Sequence, residues 1–216
     1  MPIYSSIRII FFTVVFIVVS QIIKKSKLMN KRREIKKTIV ICFALTMLST
    51  GFPLENYIVT FTAADKAFRY KDIGEVKAVI EGVDSAMVIY TNKNKTGPQI
   101  LPKIKDGYGV SKPWPIAKKT IIFFKLRTGH DLDIMLYEVK NSNDVYLMAW
   151  KPFGTEPLDI RDSLNSEFLC VENPFVPGLH YKYYMYISAE NFDLKNYTIY
   201  IDGEEYTYAA FDLRLN

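Results

Sequence analysis

This 216-residue sequence predicts a mostly β protein: an antiparallel β-sandwich, preceded by one or two N-terminal hydrophobic helices. Three observations carry that expectation. Two uncharged apolar runs frame a dense basic stretch within the first 64 residues. Beyond residue 72 the apolar spacing changes from helical to alternating, the period of a strand. The alternating pieces are short and are separated by Gly, Pro, Asn and Asp, which favour chain reversal.

The apolar runs are Ile9–Ile23 and Thr38–Leu54. Between them, Lys24–Lys37 holds eight Lys/Arg against Glu34 alone. A bilayer takes up long apolar helices, and cytoplasmic loops retain Lys and Arg. The sequence therefore divides into a first hydrophobic segment (1–23), a basic cytoplasmic loop (24–37), a second hydrophobic segment (38–64) and an extracytoplasmic domain (65–216). Two readings of the N-terminus stay open. In one, both runs cross the membrane as a hairpin, although each is short against the ~20 residues that ~30 Å of hydrocarbon requires. In the other, translation starts at Met29, and a charged stretch followed by an apolar run forms a secretory signal. Thr62 and Ala64 then stand at the small-residue positions of a cleavage site, releasing a secreted domain. Both readings deliver residues 65–216 outside the cell.

Within that domain, strands are expected at 75–80, 86–92, 120–127, 132–140, 145–150, 181–188, 197–202 and 206–215, all rich in β-branched or aromatic residues. Asn141–Asp144 should close an antiparallel hairpin, and Asp202–Gly203 a second, tighter one. A slip of alternation at Ala209–Ala210 calls for a bulge. A short polar stretch, Ala64–Asp72, precedes these strands, and the domain shows no helix of ten residues. Eight short strands point to two packed sheets, and some 150 residues bury a core without disulfides.

One stretch resembles a known family. Pro177-Gly178-Leu179-His180-Tyr181-Lys182-Tyr183 is similar to the Pro-Gly turn and tyrosine corner that open strand F of fibronectin type III and related immunoglobulin-like domains. The resemblance covers about a dozen residues. It implies that the Tyr181 hydroxyl bonds back to the backbone, with Tyr183, Met185 and Ile187 pointing inward. It adds weight to an immunoglobulin-like sandwich and carries no activity with it.

Charge excludes one function class. The chain has 28 basic and 23 acidic residues, but residues 1–64 carry +7 and residues 65–216 carry −2. A near-neutral domain lacks the basic face that nucleic acid demands. Cys42 and Cys170 are the two cysteines. A domain with one thiol forms no internal disulfide, and Cys170 reads as a small buried hydrophobe. Composition rich in Lys, Asn, Ile and Tyr reads as bacterial, which leaves the glycosylation triplets at Asn94 and Asn196 unused.

Chemistry has few places to reside. Gly129-His130-Asp131-Leu132-Asp133 places two carboxylates on one strand parity beside a histidine, a set able to grip Ca²⁺, although a polar turn explains it equally. Aromatics give a better lead, since residues 181–208 contain eight of the fifteen tyrosines. Tyr184, Tyr186 and Tyr200 lie on the parity opposite the expected core, where their rings offer a platform to a sugar or peptide. Trp114, in a Pro-rich loop, is a fourth candidate contact. The expectation is a membrane-anchored or secreted module that binds or spaces at the cell surface without catalysis. It uses no cofactor, meets the membrane through residues 1–64, and takes a carbohydrate or protein ligand. The alternative is an exported Ca-dependent protein or hydrolase built around the His130–Asp133 turn.

Overall fold

The computed structural model describes residues 3–25, 36–37, 39–42, 44, 56, 59–110, 116–126, 131–150, 156–175 and 181–208, with backbone alone at 3, 5, 22–25, 120–126, 131–133 and 208. Among the described residues, helix α1 (Ile3–Lys25), helical residues at 36–37, 39–42 and 44, and helix α2 (Ala64–Lys71) precede twelve strands. These are β1 (Glu75–Glu81), β2 (Ser85–Asn92), β3 (Lys95–Ile104), β4 (Gly107–Tyr108), β5 (Ala117–Leu126), β6 (Asp131–Val139), β7 (Asp144–Trp150), β8 (Ile160–Asp162), β9 (Leu169–Glu172), β10 (Tyr181–Ser188), β11 (Thr198–Ile201) and β12 (Glu204–Tyr208). The protein is mostly β, and every strand pairing is antiparallel.

The strands form two sheets, one in the order β1-β2-β3-β4 and one in the order β8-β11-β12-β5-β6-β7-β10-β9. Among the described residues the sheets hold four and eight strands, where eight strands in all were expected from the sequence. The larger sheet folds over on itself. Ile160 of β8, Ile199 of β11 and Tyr206 of β12 share one core with Leu136, Leu147 and Met185 of β6, β7 and β10. The outer face of β7 and β10 packs on the four-stranded sheet through a second core of Met87, Ile89, Tyr146, Met148, Val171 and Tyr184. The far face of the small sheet is covered by α2. Alternation makes this layering work, because Ala86 and Val88 point to the helix while Met87 and Ile89 point to the larger sheet.

Helix α2 is short, yet its sequence dictates it. Ala64, Ala67 and Phe68 fall on one face and are at most 2% exposed. Asp65 in the first turn and Arg69 and Lys71 in the last complement the helix dipole. Asp72 closes the helix, its N–H reaching the Phe68 carbonyl at 2.8 Å. Burying a ring such as that of Phe68 stabilises by roughly 1.5–3 kcal/mol, enough to hold two turns that would not persist alone.

Two hairpins follow the sequence closely. Asp202 and Gly203 adopt φ of +52° and +84°, the positive pair that a two-residue reversal needs, and Ile201 faces Glu204 across it. Asn141, with φ +60°, turns β6 into β7. Strand β3 was not expected, because Pro98 and Pro102 break a central strand. It forms because its other edge is paired only at Lys103 and Ile104, so prolines upstream leave no ladder bond unmade. β8 and β9 are three- and four-residue pieces, too short to show a period.

α1 begins beside α2. Tyr4 meets the Tyr70 ring edge-on at 5.9 Å, and Arg8, one turn on, is 8% exposed with its guanidinium 4.9 Å from the Tyr4 ring. From Ile9 the helix exposes most of its large apolar side chains, while Phe12, Val15 and Val19 are half-buried. Its uncharged stretch to Ile23 covers about 22 Å at 1.5 Å per residue, less than ~30 Å of hydrocarbon. Among the described residues no helix is long and apolar enough to cross a membrane.

Candidate functional site

The alternation of β10 sorts its tyrosines. Tyr183, Met185 and Ile187 enter the core of the larger sheet, as expected. The backbone bond foreseen for Tyr181 belongs instead to Tyr183, whose hydroxyl accepts the Leu158 N–H at 2.6 Å. Tyr181 is half-buried against the same core, and the Pro177–His180 turn lies outside the described residues.

Tyr184 and Tyr186 do face the other way, but that side is covered by the four-stranded sheet. Tyr184 is 0% exposed. Its hydroxyl has no hydrogen-bond partner among the described residues, and burial pushes its pKa well up. It therefore offers no ring to a ligand. Tyr186 is half-buried, tilted against Tyr146 at 5.5 Å, and it edges an open cleft of about 450 Å³ with Leu164, Ser166, Ile187, Ser188 and Asn191. Tyr200, 39% exposed, stands on the outer face of β11 between Arg161 of β8 and Glu205 of β12. Tyr184 and Tyr200 thus diverge from opposite layers of one core, and no shared platform forms. Trp114 lies outside the described residues.

The most organised polar site is one that sequence reasoning passed over as a turn. Asp144 opens β7 and is fully buried. Its Oδ1 accepts the Val83 N–H at 2.8 Å and the Tyr186 hydroxyl at 3.2 Å. Its Oδ2 accepts the Asp84 N–H at 2.9 Å and the Ser85 hydroxyl at 2.6 Å. Four donors fill the four lone-pair positions of one carboxylate. Because the single Ser85 proton goes to Asp144, the Tyr146 hydroxyl donates to Ser85 Oγ across 2.9 Å. Burial alone would raise the Asp144 pKa. The bonds from Ser85, Val83, Asp84 and Tyr186 together outweigh it and hold the carboxyl below its ordinary 3.8.

This cluster ties the β1–β2 turn of the small sheet to the β6–β7 turn of the larger one. Gly82 completes it, since a Cβ there would sit 2.5 Å from the Tyr146 hydroxyl and 2.6 Å from Asp144 Oδ2. At the other end of β10, Lys182 donates to the Thr96 carbonyl of β3 at 2.8 Å. Burial, then the nearby Lys119 charge, lowers the Lys182 pKa. The two sheets are therefore clasped at both ends of their shared core.

Neither clasp is built for catalysis. Ser85, Asp144 and Tyr146 are each 0% exposed, so substrate has no approach, and the serine proton is already committed to a carboxylate without an intervening base. A second buried carboxylate, Asp162, accepts the Leu164 and Ser166 amides at 3.1 and 2.7 Å and the Tyr197 hydroxyl at 2.9 Å. It shapes the turn after β8. Cys170 is exposed on the edge strand β9, contrary to the buried site expected for it; partial desolvation raises its thiol pKa, with a Tyr183 hydrogen bond opposing. A thiol held protonated is a poor nucleophile. No group of His, Cys, Asp and Glu among the described residues is placed to hold a metal ion. Asp131 and Asp133 stand on one parity of β6, while Gly129 and His130 lie outside the described residues.

Asp144 could not be found by motif, because three of its four donors arrive from residues some sixty positions away and the fourth from 42 away. The signal that existed was a β1–β2 turn, Gly82-Val83-Asp84-Ser85, offering free amides with no partner of its own. No family model, no curated protein and no solved structure matches this chain.

Proposed function

We propose that this chain is a membrane-held, immunoglobulin-like β-sandwich module with its domain outside the cytoplasm, and that it binds or spaces at the cell surface without catalysis. One observation carries the membrane part. Large apolar side chains of α1 are exposed over more than half of the helix circumference: Ile7, Ile9, Ile10, Phe11, Phe16 and Val18 are 44–63% exposed, and the remaining face is apolar too, with Phe12, Val15 and Val19 half-buried. A helix docking on a protein would keep a polar face, whereas one that is apolar all round calls for a hydrocarbon surrounding. The shortfall in length is of the size that local bilayer thinning accommodates.

The non-catalytic part is supported by the polar groups themselves. The buried carboxylates spend their acceptors on the protein's own turns, which is the work of a scaffold. Tyr200, flanked by Arg161 and Glu205, is the exposed aromatic at which a carbohydrate or protein ligand would be sought first. Fractionation of expressing cells tests the proposal. The intact chain should stay with membranes through an alkaline carbonate wash; recovery in the wash or the medium would overturn the tether.

A further inference from the structure

Resting on the membrane tether just proposed, we infer that the tether is a hairpin with both legs fixed to the domain, so that the N-terminus lies on the same side of the membrane as the β-sheets. The first leg is fixed by α1. Its opening turns meet α2 through the Tyr4–Tyr70 contact, beside the buried Arg8, while most large apolar side chains from Ile9 to Val18 are exposed. A helix that enters the bilayer from this junction carries its C-terminal end, and the basic stretch that follows, away from the domain. Eight Lys/Arg in Lys24–Lys37 then meet the opposite headgroup layer, where such residues are retained.

The second leg returns to the domain at Asn56. Its amide forms a reciprocal pair with Val110: the side-chain N–H donates to the Val110 carbonyl at 3.0 Å, and the Val110 N–H donates to Asn56 Oδ1 at 2.7 Å. Five residues later Phe61 exchanges both backbone bonds with Tyr108, at 3.0 and 2.8 Å. Ala64 then starts α2 with 2% of its surface exposed. Connectivity requires residues 26–55 to come back to the side from which α1 departed. A cut beside Ala64 would strip Asn56 and Phe61 from the domain and open the core that α2 covers.

Cysteine labelling tests this in the full chain. Three single-cysteine versions are needed: Cys42→Ser, which keeps exposed Cys170 as the domain reporter; Pro2→Cys with both native cysteines changed to Ser; and Ser26→Cys in that same background. Membrane vesicles are treated with an impermeant maleimide before and after permeabilisation. Pro2→Cys and Cys170 should label from the same face, and labelling of Ser26→Cys from that face should be lost until the vesicles are opened. Labelling of position 2 from the face opposite Cys170 overturns the hairpin, as does labelling of all three positions from one face. Protein that washes off the membrane overturns the tether itself and the hairpin with it.

Discussion

Replacing Asp144 with Ala removes the acceptor for two backbone amides and two hydroxyls at a fully buried position. Each bond to a charged group contributes about 1.5–3 kcal/mol, so the three at 2.6–2.9 Å represent roughly 4.5–9 kcal/mol before compensation. Several kcal/mol return because no carboxylate is then held out of water. Val83 and Asp84 border solvent and recover hydration, and Ser85 and Tyr146 keep each other. The expected net loss is about 3–4 kcal/mol, in the range for breaking a buried charged network. In a domain of this size that lowers Tm by about 10 °C. Urea unfolding of the full chain in detergent, followed by near-UV circular dichroism, reads the difference. The sign with pH follows from the depressed carboxyl. Asp144 contributes fully above its ordinary 3.8, and the contribution is lost as pH falls through its lower folded-state value. Wild type and Asp144→Ala should therefore converge in acid. A loss under about 1 kcal/mol, or an unchanged acid limb, would refute the reasoning.

Other outcomes follow from the same geometry. Gly82→Ala should lower stability by about 2 kcal/mol or more by thrusting a methyl into the Asp144–Tyr146 pair, while Gly97→Ala, with nothing within 4 Å, should change the unfolding midpoint little. Tyr184→Phe removes a hydroxyl without a partner among the described residues and should leave stability unchanged or raise it by up to ~1 kcal/mol; Tyr183→Phe frees the Leu158 amide and should cost about 1 kcal/mol in the same titration. Gly203→Ala, forced to φ +84°, should cost about 1 kcal/mol. Burial pushes Tyr137 and Tyr183 up to about 12, so phenolate absorbance from these two should appear only near pH 12 or on unfolding. The stability they supply is complete below ~10 and falls as pH rises toward that value.

What could be read from the sequence was local. Alternation located the eight expected strands, all present with ends shifted by a few residues, save that the last is described only to Tyr208 and the slip at Ala209–Ala210 lies beyond it. The Asp202–Gly203 reversal was legible because turn chemistry resides in the two residues themselves. Strand β3 was hidden by its prolines, whose acceptability depends on which edge is paired, and that is a tertiary property. The fate of Tyr184 and Tyr186 was hidden for a like reason. Parity states which residues leave one core, and it is silent on whether a second sheet waits on the other side. Asp144 reads as a turn residue until the Gly82–Ser85 amides are brought to it.

On the membrane tether proposed above, the edges of the small sheet have a further consequence. Molecules restricted to two dimensions meet at high local concentration, and an open strand edge invites neighbours to pair with it. β3 presents Pro98 and Pro102 along its free stretch, where the missing amide hydrogens deny a ladder. β1, the opposite edge, carries a register break between Val76 and Ala78 and the charged residues Glu75, Lys77 and Glu81. The prolines that hid β3 in the sequence, and the register break and charges of β1, would then keep lateral crowding from turning a sheet into a polymer.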